Sequence, residues 1–226
     1  MRASNLSAAV GALALPPRLK TLIAGRIREC IATGQLALGQ RLSDKQLADE
    51  MRVSRTPVRE ALLQLQTEGM VVMRPQSGTF VFELSLQEIA EICELRGIFE
   101  TGALQVGAAA GSDHLVQTLR SHTLAARAAL KKGDLARCEA LDTAFHESII
   151  DLSGNRLLVE AYKTISDKVR ALRHRLPHER KRFAAALAQH ETIVEAIARG
   201  RTEAASEELA DHVRNVHRLL SGRRSH

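Results

Sequence analysis

Ser54-Arg55-Thr56-Pro57-Val58-Arg59-Glu60-Ala61-Leu62 decides the fold. A polar residue able to cap a helix opens the stretch, and Val58, Leu62 and Leu65 then recur at helical spacing as one apolar face. Arg55, Thr56 and Arg59 fall near the start, away from that face. Pro57 is tolerated in a first turn, where its missing N–H costs nothing. Unpaired N–H groups at a helix start favour phosphate, and arginines there can fork onto guanine edges in a major groove. The pattern predicts a helix, capped by Ser54 and ended by Gly69, that faces DNA.

The flanks complete a unit around it. Leu19–Ala32 reads as a helix with Leu22, Ile23, Ile27 and Ile31 on one face. Ser43 caps a second helix, Asp44–Met51, that buries Leu47 and Met51. After Gly69, Val71-Val72-Met73 and Thr79-Phe80-Val81-Phe82 read as two short strands joined through Arg74-Pro75-Gln76-Ser77-Gly78. Three helices and a hairpin make a winged helix-turn-helix over residues 18–83. Lys45, early in the second helix, can reach a phosphate, and Gly78 at the wing tip lets backbone approach a minor groove.

Charge supports that placement. The 226 residues carry a net charge of +6, and residues 1–82 hold eleven Lys and Arg against six Asp and Glu. The rest of the chain is nearly balanced, so the basic excess sits where a polyanion would be met. Ala, Leu, Glu and Arg dominate, Trp is absent, and the chain suits a mostly α fold. Cys30, Cys93 and Cys138 lie far apart among apolar helical positions, which fits buried free thiols in a reducing, cytoplasmic setting. No run approaches the roughly 18 apolar residues of a membrane span. Arg2 followed by Ala8–Leu15 faintly resembles a secretory signal, but Pro16-Pro17 and the pattern behind it favour a flexible arm over 1–17.

Leu38-Gly39-Gln40-Arg41-Leu42-Ser43, Leu47-Ala48, Val53–Leu62 and Leu65-x-x-Glu68-Gly69 together resemble the winged-helix domain of the GntR transcription-regulator family. The family carries Pro in its L-x-P-G-x-x-L stretch where this chain has Leu38, a departure that touches a turn and not a DNA contact. The resemblance implies that Lys45, Arg55, Thr56, Arg59 and Gly78 touch operator DNA, with Ser54 at the same helix end.

From residue 84 to 221 the chain reads as an all-helical antiparallel bundle, with a short tail over 222–226. Ser85, Asp113, Asp134 and Thr202 are cap candidates, and Gly111, Gly133, Gly154, Pro177 and Gly200 mark breaks. Six helices follow: 85–110, 113–132, 134–153, 155–176, 179–199 and 202–220. On the third, Asp142 and His146 fall one turn apart at the edge of the apolar stripe. His190 sits inside the stripe of the fifth helix and His212 inside that of the sixth. A single such histidine is ordinarily a hydrogen-bonded core residue. Three imidazoles and a carboxylate pointing into one core would be costly to bury unpaired, and a divalent metal satisfies them together. His114, His122, His174, His178, His217 and His226 stay outside this set, His122 as a mid-helix residue without a partner.

Asp142-x-x-x-His146, His190 and His212, with Glu94-Leu95-Arg96-x-x-x-Glu100 and Gly154-Asn155-x-Leu157-Leu158, resemble the FCD effector domain of the FadR-type branch of GntR regulators. Six helices match its shorter, VanR-like variant. The resemblance implies dimerisation and a metal that helps hold a small carboxylate effector. Arg96 and Glu100 sit among inward residues, where an internal ion pair and a guanidinium forked onto an effector carboxylate are both open. Arg173 is a second effector candidate at the edge of its helix's apolar face.

These readings point to a homodimeric, ligand-responsive regulator, a repressor in the commoner family mode, on a palindromic operator. Zn and Ni both suit the donor set. A metal sensor with the ion itself as effector is the alternative. A metal-dependent hydrolase is weaker, since no H-E-x-x-H or similar base arrangement accompanies the histidines.

Overall fold

Helix α1, Arg18–Ala32, is the first element of a computed structural model that describes residues 18–222. The arm expected over 1–17 and the tail residues 223–226 lie outside the described residues. In α1 the buried stripe is Ile23, Ala24, Ile27 and Ile31, whereas Leu22, expected among them, is 69% exposed. At 3.6 residues per turn Leu22 lies about 150° from the centre of that stripe, so helical geometry itself excludes it.

Strand β1, Arg41–Leu42, precedes helix α2, Asp44–Met51. Ser43 caps α2 as expected, accepting the Gln46 N–H at 3.3 Å. Ala48 is the buried residue of this short helix, while Leu47 and Met51 are half-buried. Helix α3, Arg55–Thr67, buries Val58, Ala61, Leu62 and Leu65. Ser54 stands at its cap position in extended backbone, but its side chain makes no capping bond, contrary to expectation. Gly69 adopts φ 68° and turns the chain so that Met70 N–H reaches the Leu65 carbonyl at 2.9 Å, closing the helix end. Strands β2, Val71–Arg74, and β3, Gly78–Val81, form the expected hairpin. The sheet has a third, unforeseen member: its order is β1-β3-β2, antiparallel throughout, with Arg41 opposite Phe80 and Arg74 opposite Gly78.

The second unit is helical. Helix α4, Leu86–Lys132, opens on a capping box in which Ser85 Oγ accepts the Glu88 N–H and the Glu88 carboxylate accepts the Ser85 N–H. Gly111 leaves helical geometry at φ 145°, ψ 105°, so α4 is two helical stretches meeting at the expected break. Helices α5, Leu135–Asp151, α6, Arg156–His174, α7, Arg180–Ala198, and α8, Thr202–Gly222, complete the unit. Asp134 and Asn155 cap α5 and α6 through their side chains. Thr202 is already helical, so it does not stand outside α8 as a cap. Cys93 and Cys138 are buried thiols, while Cys30 is only half-buried and donates to Gln35 Oε1 at 3.3 Å.

Helix α4 packs against α5, α6, α7 and α8. The core between them holds Leu104, Leu119, Phe145, Ile149, Ile193 and Leu209, each at most 1% exposed. Burying such a side chain stabilises by about 1.5–3 kcal/mol, which is what lets this core carry Arg96, Glu100, Asp142, His146, Arg173, His190 and His212 as well. Two compact units result. Of the described residues, the first contains 18–29 and Gly39–Phe82, and Cys30–Leu38 groups with the helical unit.

Candidate functional site

The six residues expected to face DNA are all exposed in the first unit. Ser54, Arg55 and Thr56 follow one another at the start of α3. Lys45, Arg59 and Gly78 line one open groove of about 1040 Å³ between α2, α3 and the wing. Gly78 holds φ 111°, which disfavours a side chain at this point, and a Cβ there would come within 3.2 Å of the Arg41 Nε, which would have to shift. The arginines do not simply project outward. Asp44 accepts Arg55 Nη2 on its two oxygens at 2.9 and 3.0 Å, and Arg59 Nε at 2.5 Å. Hydrogen bonds from Arg55 and then Arg59 hold the Asp44 carboxyl below its ordinary range.

In the helical unit, Asp142 and His146 of α5, His190 of α7 and His212 of α8 converge. One ligand atom from each lies within 4.8 Å of all the others, and all four residues are buried. The positions expected at the edge of a stripe are therefore inside the core: His146 is 1% exposed and Asp142 8%. His146 Nε2 is 3.1 Å from His212 Nε2, which is 3.3 Å from His190 Nε2. His190 Nε2 is 3.4 Å from Asp142 Oδ1. Two donors about 2.0–2.1 Å from a tetrahedral zinc stand roughly 3.3–3.4 Å apart, so these separations suit a shared ion.

The tautomers sharpen this. His146 Nδ1 lies 2.8 Å from Glu100 Oε2, and His212 Nδ1 lies 3.1 Å from Gln189 Oε1. Each oxygen can only accept, so each Nδ1 carries a hydrogen, and in the neutral ring each Nε2 is then a bare lone pair. Burial lowers the affinity of all three imidazoles for a proton, His190 down to about 3 against the pull of Asp142. His190 is further fixed by flat stacking on Phe145, with ring centroids 3.9 Å apart. Two neutral lone pairs facing each other at 3.1 Å repel unless a cation stands between them. Asp142 Oδ1 is also buried without a hydrogen-bond partner among the described residues. Its other oxygen is paired with Arg173. Burial opposes the Asp142 charge, but Arg173 and His190 keep the carboxyl well below its ordinary range. The donor set thus fits a divalent cation.

Arg96 and Glu100 form the internal pair that their spacing allows, Nε to Oε1 at 2.6 Å. Glu100 Oε1 also accepts Tyr162 Oη at 3.2 Å. Burial opposes the Glu100 charge, yet Arg96 and His146 hold this carboxyl below its usual range. Both oxygens are taken by protein donors, so Glu100 orients His146 and does not present itself to an effector, which differs from the expectation. Arg96 is different: it is 1% exposed, and Nη1 and Nη2 have no partner among the described residues. Its charge is felt by Asp142 and by all three imidazoles. Arg173 lines a cavity of about 480 Å³ that also reaches Asp142, Gln189 and His212.

Known proteins match both units. Residues 19–81 match the family described as bacterial regulatory proteins, gntR family, and residues 91–215 match the FCD domain. The chain belongs to the GntR family. An HTH-type transcriptional regulator in an unstable DNA locus of Streptomyces ambofaciens is 34% identical over 89% of this chain and 84% of its own length. The gluconate operon transcriptional repressor of Bacillus licheniformis is 28% identical, covering 77% of this chain and 74% of that one. Among solved structures, Escherichia coli McbR/YncC superposes with a TM-score of 0.78 at 21% identity, over 92% of this chain and 99% of that one, and so shares the fold. The two curated relatives are named as transcriptional regulators and the matched family is one of regulatory proteins, not enzymes, which speaks against the hydrolase reading.

For a GntR-family chain, the sequence pattern located the quartet but missed its supports. Gln189 adjoins His190, one position off the apolar stripe, and looks like a surface amide. Tyr162, the chain's one tyrosine, gave no periodic signal beyond an apolar position. Arg41 lies inside the Leu38–Ser43 stretch and lines the same groove as Lys45. His122 has a partner after all: Nε2 is 3.0 Å from Ser148 Oγ. Among the described residues no helix is long and apolar enough to cross a membrane.

Proposed function

We propose that this GntR-family regulator is a homodimeric repressor of the FadR-type, six-helix VanR-like class. In this reading, Lys45, Arg55, Thr56, Arg59 and Gly78 meet a palindromic operator, and its helical unit senses a small carboxylate through a divalent cation. The observation that carries the sensing half is the approach of His146 Nε2 and His212 Nε2 to 3.1 Å while the Nδ1 of each ring faces an acceptor. Asp142, His146, His190 and His212 would hold the ion, with Zn or Ni suited to three imidazoles and one carboxylate. Such an ion supplies positive charge and a coordination position for a carboxylate oxygen.

The charge balance favours an anionic effector. Arg96 offsets Glu100 and Arg173 offsets Asp142, so the cluster is neutral before an ion enters. A divalent cation then leaves uncompensated charge in a buried site, which an effector carboxylate reduces. Arg96 adds two donors, Nη1 and Nη2, whose fork geometry matches a carboxylate. The effector therefore has more to gain from the metal-loaded site than from the bare one, and its binding can bias the helical unit.

The experiment is operator binding by the full chain, stripped of metal and then reloaded with Zn or Ni, against a panel of small mono- and dicarboxylates. The reading expects at least one acid to shift operator affinity only when metal is present, and Arg96→Met to abolish that shift. A response to metal alone, unchanged by every acid, favours the ion as effector. No response to either contradicts the sensing half.

A further inference from the structure

Two arginines of the reading face are already held before DNA arrives. Asp44 is the first residue of α2, and its side chain is 22% exposed while those of Arg55 and Arg59 are 52% and 62% exposed. Arg55 and Arg59 leave α3 one turn apart, on the same side, and converge on this one carboxylate. Asp44 uses Nη2 of Arg55 and Nε of Arg59. It does not use Nε and Nη1 of Arg55, or Nη1 and Nη2 of Arg59. The single carboxylate cancels one of the two guanidinium charges yet leaves donors in place.

That combination treats the two kinds of DNA contact differently. A backbone phosphate offers an arginine negative charge, which Asp44 already supplies, and the carboxylate repels the phosphate. A guanine edge offers O6 and N7 acceptors without a negative charge, and it needs donors held in register. Phosphate contacts carry no sequence information, whereas base contacts do. Exposed ion pairs are individually weak, so the pairing orders the side chains without locking them, and less rotamer freedom is lost on docking.

We infer that Asp44 is a positioning residue that sets sequence discrimination, by holding Arg55 and Arg59 in register for base edges and by disfavouring their use on phosphate alone. The inference rests on the reading that these two arginines meet operator DNA. Asp44 lines the same groove as Lys45, Arg59 and Gly78, so it stands where the duplex would lie in that reading.

The test uses the full chain and a duplex that the wild-type protein selects from a randomised pool, with a shuffled duplex of equal length as competitor. Fluorescence anisotropy measures both affinities across a salt series. Asp44→Asn should raise affinity for the shuffled duplex and cut the selected-to-shuffled ratio by about tenfold, the scale of one good base contact. Its salt dependence on the shuffled duplex should steepen by about 0.9 for each arginine released to phosphate. Asp44→Glu, which keeps the charge, should hold shuffled affinity near wild type. An unchanged ratio in Asp44→Asn, or an equal fall in both affinities as plain structural damage would give, overturns the inference. Arg55→Ala/Arg59→Ala separates the two layers. If that double variant keeps full discrimination, the DNA-contact reading itself fails; if it loses discrimination while Asp44→Asn does not, only the role of Asp44 fails.

Discussion

Replacing Glu100 by Gln tests the electrostatic logic of the buried cluster. The change keeps volume and removes one negative charge at a residue that is 0% exposed. Arg96 then keeps a full charge at 1% exposure, with its 2.6 Å partner reduced to a neutral amide and two of its nitrogens still unpartnered. Removing one member of a buried pair ordinarily costs about 3–5 kcal/mol, because the remaining charge stays uncompensated. His146 loses a charged orienting acceptor and Tyr162 a charged hydrogen-bond partner in the same step. In a protein of this size about 1 kcal/mol shifts the melting temperature by 2–4 °C, so the drop should be roughly 6–20 °C. Differential scanning calorimetry on metal-stripped chain measures it without a contribution from bound ion. The double variant Arg96→Met/Glu100→Gln removes both charges and should recover most of the loss. A Glu100→Gln protein within about 0.5 kcal/mol of wild type, the scale of an ordinary surface change, refutes the reasoning. So does a double variant no more stable than the single one.

Gln189→Leu removes the acceptor that fixes the His212 tautomer, and should weaken divalent-metal affinity by about 10–100-fold in a chelator competition; equal affinity would deny Gln189 a positioning role. Gly78→Ala puts a side chain at φ 111° beside Arg41 and should strain the wing by about 1–3 kcal/mol, lowering operator affinity in a gel-shift titration with no loss of metal uptake. Ser85→Ala removes the hydroxyl that accepts the Glu88 N–H in the α4 capping box, leaving the backbone bond to the Glu88 carboxylate, and should cost about 1 kcal/mol in urea unfolding, whereas Ser54→Ala, at a position with no side-chain cap, should cost less.

The helices were legible wherever their chemistry is local. Val58, Leu62 and Leu65 repeat at helical spacing, Ser43 and Ser85 cap, and Gly69 and Gly111 interrupt, so α2, α3 and the break in α4 follow from neighbours in sequence. The quartet was legible for a related reason: ionisable residues sat in or beside the apolar stripes of three helices, and stripes face cores. Groups recruited across the fold left no such trace. Asp44 reads as an ordinary first-turn acid of α2, and nothing in its spacing tells that two arginines from α3 will reach it. Gln189 and Glu100 orient histidines 23 and 46 positions away, a relation set by packing and not by period. Strand β1 is two residues long, too short for alternation to register. Leu22 is apolar yet lies on the outer face of α1, a difference of angle that composition does not carry, and Ser54 holds a cap position without using its hydroxyl.

X-ray absorption at the metal edge of full-length chain loaded with one equivalent of Zn or Ni bears most directly on the quartet. The account predicts stoichiometric uptake and a shell of nitrogen and oxygen donors at about 2.0–2.1 Å with the outer scattering of imidazoles, as three histidines and one aspartate require. His190→Ala should lose one imidazole from that pattern. Failure to retain one ion per chain, or a first shell of sulfur, would contradict it.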